Sequence, residues 1–107
     1  MKLFVMYIGL ERDSQGQPIS DAAKDMGILL LKEKLAADFG GYSVGEVMGG
    51  YHMYATGGLV EERALRVEVT ATEEQTPQIK ECAQMFKKMF RQESILLNCT
   101  TIETEFV

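Results

Sequence analysis

The chain predicts an α+β fold, a sandwich of two helices on one face of a four-stranded antiparallel sheet. Three observations carry this. Apolar or alternating strand segments stand at both ends of the chain and as a pair in its middle. Two segments of helical spacing, each with a recognisable start, separate them. The order is β, α, β, β, α, β, which is the split βαβ pattern of ferredoxin-like folds.

Residues 2–10 are nearly all apolar or strand-favouring, as suits a central strand buried on both faces. Leu3, Val5 and Tyr7 share one side, and Phe4, Met6 and Ile8 the other. No small-x-small cleavage site follows this stretch, so it reads as a first strand rather than a signal peptide. Residues 11–19 form a polar loop, with turn chemistry at Asp13-Ser14-Gln15-Gly16 and Pro18 near its end. Ser20 is a helix N-cap, and Asp21 sits at the positive end of the helix dipole. That helix runs to about Phe39, where Gly40-Gly41 closes it. Met26, Ile28, Leu29, Leu30, Leu31, Leu35 and Phe39 make its apolar stripe wider than one core-facing side needs.

Residues 42–54 read as a strand interrupted by Gly45, Gly49 and Gly50. A turn at 55–58 leads into a strand over 59–71, with Leu65, Val67 and Val69 inward and Arg66, Glu68 and Thr70 outward. Thr76-Pro77 starts the second helix as N-cap and first helical residue. Ile79, Ala83, Phe86 and Phe90 recur at helical spacing, and Lys87, Lys88 and Arg91 fall where the dipole favours cations. Residues 95–107 read as the closing strand. Right-handed crossovers put strands one and three at the centre and strands two and four at the edges. Both helices then cover one face. The expectation is that Phe4, Met6 and Ile8 lie on the other face and are covered by another copy, a loop or a partner, back-to-back pairing with a second copy being the simplest arrangement.

The whole chain, 1–107, reads as one domain, of ordinary length for a single core. Apolar residues make up 46% and charged residues 25%, a globular composition. A net charge of −5 without a basic block argues against nucleic acid and anionic membrane surfaces, and neither is expected as a partner. No apolar run approaches the ~20 residues of a membrane span. Cys82 and Cys99 imply no disulfide framework and fit free thiols in a cytoplasmic protein. His52, Cys82 and Cys99 are scattered singly, so no metal site and no cofactor is expected.

Functional residues concentrate at 40–58, which holds seven of the ten glycines, three of the four tyrosines and the one histidine. Glycine inside a strand marks a bulge or the close approach of something else. Tyrosine offers a flat stacking face and a hydroxyl. The glycines are followed by strand and lack the lysine and hydroxyl of a phosphate loop. The candidate ligand-binding set is Gly49, Gly50, Tyr51, His52 and Tyr54, with Arg12 and Arg63 as donors suited to a carboxylate or phosphate. His52, the one histidine, is a candidate general base beside Glu46 or Glu61. The sequence identifies no catalytic residue.

Ile8-Gly9-Leu10, Gly41-Tyr42-Ser43-Val44 and Gly58-Leu59-Val60-Glu61-Glu62 resemble segments of an uncharacterised bacterial and phage group of small ferredoxin-like domains. The resemblance covers the first two-thirds of the chain and implies the fold alone. Some similar domains pair into α+β barrels that enclose a small ligand or run cofactor-free chemistry.

Three functions remain open. The first, favoured, is a non-enzymatic homo-oligomer that holds or sequesters a small anionic or aromatic ligand, such as a nucleotide, near the Gly/Tyr-rich hairpin. Its place would be the cytoplasm, or the host cytoplasm if the chain is phage-encoded. The second is an interaction or inhibitor module docking through its acidic surface or apolar sheet face. The third is a small enzyme of the dimeric α+β barrel type.

Overall fold

The computed structural model describes residues 1–52 and 57–107, apart from the side chain of Tyr51. It is a ferredoxin-like sandwich: β1 (Lys2–Gly9), α1 (Asp21–Phe39), β2 (Ser43–His52), β3 (Leu59–Ala71), α2 (Thr76–Met89) and β4 (Leu96–Thr101). The sheet order is β2-β3-β1-β4, with every neighbour antiparallel. The turn expected at 55–58 falls in part outside the described residues, and Tyr54 lies wholly outside them.

The helices form where their ends are capped. The Ser20 hydroxyl accepts from the Ala23 amide, and Gly40 closes α1 at φ 78°, a left-handed value that costs glycine little. A short 3-10 turn at Glu73–Gln75 precedes α2, so Thr76 is its first residue and Gln75 its cap, one position earlier than expected. β4 ends at Thr101 rather than continuing to Val107.

The core lies between the sheet and the two helices. Phe4, Met6 and Ile8 are its β1 contribution, fully buried beside Leu65, Val67 and Val69 and under Leu31, Leu35, Ile79, Phe86 and Phe90. This reverses the expected facing of β1. Met6 pairs with Val67 and Phe4 with Val69, and directly paired residues point to one side. The inward set of β3 therefore carries Phe4, Met6 and Ile8 inward with it, and Leu3, Val5 and Tyr7 face the side without helices. Gly27 lets α1 approach the end of α2: a Cβ there would stand 2.9 Å from the Phe90 ring.

No helix among the described residues is long and apolar enough to cross a membrane.

Candidate functional site: a depression on the open sheet face

The open face carries alternate residues of all four strands. Across its middle run Gly45, Arg66, Tyr7 and Leu96, and in the next row Val47, Ala64 and Gly9. Gly49 stands opposite Glu62 beyond them. Gly9, Gly49 and Ala64 have almost no side chain, while Tyr7, Val47, Leu96 and Glu62 rise around them. The result is a depression of about 420 Å³, also bordered by Met48, Gly50 and Arg63. Its volume falls within the roughly 300–1,000 Å³ of small-molecule pockets.

Tyr7 supplies the aromatic surface. The Arg66 guanidinium carbon lies 5.8 Å from its ring centroid, and Arg66 Nη2 is 2.8 Å from Glu68 Oε1. Arg66 Nε is buried without a hydrogen-bond partner among the described residues. Glu62 borders both this depression and a second one of about 440 Å³, made with Arg12, Asp13, Ser14, Gly16 and Gln92.

The structure brings Gly49, Gly50 and Arg63 together and sets the other candidates apart. Arg12 belongs to the second depression. His52 is exposed at the end of β2, opposite Leu59. The Tyr51 backbone is strand, paired with Val60. The arginine donors expected for an anion are engaged. Arg63 Nε donates to Glu11 Oε1 at 3.2 Å and its Nη1 lies 3.9 Å from Glu46 Oε2. Arg12 Nη1 donates to the Gly16 carbonyl at 3.4 Å. Tyr7, Val47, Ala64 and Leu96 were not singled out by the sequence. They are ordinary strand residues that become a site through register, and the signal was the alternation of β1 taken with that of β3.

Among the described residues no three His, Cys, Asp or Glu side chains converge to hold a metal ion. Cys82 is buried and its thiol donates to Asp38 Oδ2 at 3.6 Å, while Cys99 is exposed. Burial first, then the Asp38 charge, pushes the Cys82 thiol up to about 11, so it is a protonated, unreactive group. Asp38 is held below the ordinary carboxylate range by the Lys34 ammonium, 2.9 Å away.

Solved structures share this fold. A phage SAM lyase in complex with S-methyl-5′-thioadenosine superimposes with a TM-score of 0.61 at 20% identity, over 92% of this chain and 79% of that one. The periplasmic divalent cation tolerance protein CutA from Archaeoglobus fulgidus gives 0.62 at 12% identity, over 99% and 88%. A PII-like protein CutA from Nostoc gives 0.60 at 11%, over 96% and 82%. No curated protein matches the chain in sequence. Residues 4–106 match the model of DUF3574, described as a protein of unknown function. The chain belongs to the DUF3574 family.

Proposed function

We propose that this chain, acting as one domain in the cytoplasm, binds a small aromatic ligand of nucleoside type in the open-face depression. A second copy laid on the sheet face completes the enclosure. The observation that carries this reading is the depression itself: a floor of Gly9, Gly49 and Ala64 beside the Tyr7 ring, with Glu62 at the rim. A flat base fits against an aromatic wall, and a carboxylate accepts from amino or hydroxyl groups. Of the anionic and aromatic ligands the sequence suggested, the aromatic one is favoured. Arg63 is already paired with two carboxylates, and Glu62 repels phosphate. Support of a weaker kind comes from the phage SAM lyase, a protein of similar fold that holds a nucleoside thioether without phosphate. That likeness also favours a second reading, in which the same depression turns a nucleoside over.

The test is calorimetric titration and thermal shift with adenosine, S-methyl-5′-thioadenosine and AMP. Binding of either nucleoside, weaker for AMP, and lost in Gly49→Val, supports the reading. Gly49 faces the open side, so a valine there fills the depression. Failure of all three ligands to bind or stabilise the protein overturns it, and consumption of a nucleoside with product release moves it to the enzymatic reading.

A further inference from the structure

α1 is apolar on two sides. Gly27, Leu31 and Leu35 face the core. Ala22, Met26, Leu29 and Leu30 lie on the opposite side, with Met26 56%, Leu29 51% and Leu30 44% exposed. The neighbouring helix does not share this feature. α2 buries Ile79, Cys82 and Phe86 and presents Lys80, Glu81, Gln84 and Lys88 to solvent, with Met85 an isolated exception. Three large apolar side chains within five residues on an outer helix face cost solubility unless something covers them.

The charges beside this stripe say what covers it. Asp25 and Lys32 flank it on one side, seven residues apart, and both are exposed. Neither has an ion-pair partner within the chain among the described residues, although Asp21, Lys24, Lys34 and Asp38 on the same helix do. If a second α1 is laid along the stripe in the reverse direction, Asp25 meets Lys32 of the second copy, and Lys32 meets its Asp25. Met26 then packs against Leu29 and Leu30 of the second copy. Glu33 comes over the first turn of the opposing helix, where the dipole favours a carboxylate. A parallel two-fold pairing would carry the two copies of Asp25, and likewise those of Lys32, to opposite edges of the seam, so that neither charge meets its complement. The pattern is complementary to itself under a two-fold axis and in one direction only.

We propose that the outer face of α1 is a two-fold interface, occupied by α1 of a second copy in antiparallel orientation. It lies in the helix layer, on the side of the molecule away from the open-face depression. It is therefore separate from the sheet-face pairing proposed above, and α1 pairing leaves the depression as it is.

The test is sedimentation equilibrium of the full chain over a concentration series, with four variants checked for folding by circular dichroism. Leu29→Arg changes an exposed residue and is expected to halve the associated mass. Asp25→Lys and Lys32→Asp each place like charges at both ends of the seam and weaken association about tenfold. The double exchange Asp25→Lys with Lys32→Asp restores the pairing to within about threefold of the original, a recovery that a merely solubilising effect would not give. A chain that is monomeric throughout overturns the proposal. So does an associated mass indifferent to Leu29→Arg, which would assign association to the sheet face. A double exchange no better than the single variants overturns the antiparallel register. Nucleoside binding is measured separately, so its failure leaves this result standing.

Discussion

Arg91 Nη2 lies 3.2 Å from Asp13 Oδ2, and this pair ties the loop after β1 to the loop after α2. Arg91 is the one non-glycine residue at positive φ among the described residues, at 53°. It follows the Phe90 cap of α2, where the Gln92 amide donates to the Lys87 carbonyl and the Arg91 amide to the Lys88 carbonyl. This is the two-bond ending that usually takes glycine. The left-handed backbone costs a residue with a Cβ about 1 kcal/mol. In return the guanidinium reaches Asp13, whose Oδ1 already accepts from the Gln15 and Gln17 amides. The Ser14 amide donates to the Arg91 carbonyl, and Gln92 Nε2 donates to the Arg12 carbonyl, so the two loops move as one.

Arg91→Gly and Arg91→Ala separate these terms. Both lose the ion pair, but only alanine keeps the strained backbone. We expect Arg91→Gly to melt within about 2 °C of the parent and Arg91→Ala several degrees lower. Asp13→Ala also removes the acceptor of two amides, and melts lower than either. Thermal unfolding of the three variants measures the order.

The facing of β1 predicts opposite outcomes for adjacent residues. Ile8→Asp puts an unpaired carboxylate into the core and prevents folding, whereas Tyr7→Asp, on the open face beside Arg66, gives a folded protein. Met6→Ala folds, less stable by about 2–5 kcal/mol. Circular dichroism and denaturant unfolding decide both.

How much was legible in the sequence follows from the same strand. Its extent and alternation were, because every residue from Leu3 to Ile8 is apolar or strand-favouring. Which side meets the helices was not, because Leu3-Val5-Tyr7 and Phe4-Met6-Ile8 are both apolar. The answer depends on pairing with β3, a long-range fact. The site shows the same division. Gly49 and Gly50 were legible as glycines in a strand. Tyr7, Val47, Ala64 and Leu96 come from four strands and acquire meaning only side by side. Arg12 stood close to the hairpin in expectation, but the Asp13–Arg91 tie holds its loop against the end of α2. The second apolar side of α1 was visible as an over-wide stripe.

The two thiols differ in access. A disulfide reagent at pH 8 is expected to modify Cys99 promptly and Cys82 only after unfolding. Mass spectrometry should give one adduct per native chain and two in denaturant. Two prompt adducts would place Cys82 outside the core.

Stability should fall at both ends of the pH scale. The amides of Gln17 and Gln15, with Arg91, hold Asp13 low, and Lys34 holds Asp38 low. Their contribution is present above the unfolded value near 3.9 and lost as pH falls through the lower folded values. At the other end the folded Cys82 keeps its proton while the unfolded thiol gives it up. Stability therefore falls as pH rises from about 9 to about 11. Lys34, raised by Asp38, adds a further loss above its ordinary 10.5. Melting temperature against pH, in the parent and in Cys82→Ala, checks this: the variant should lose the first part of the alkaline fall.

Amide chemical-shift mapping during a titration with S-methyl-5′-thioadenosine shows whether a nucleoside sits on the open sheet face, as proposed. A bound nucleoside gives saturable shifts at Tyr7, Gly9, Val47, Gly49, Glu62, Ala64 and Leu96, with α1 and α2 unmoved, and none in Gly49→Val. Shifts confined to the helix layer, or no shifts at millimolar ligand, would contradict it.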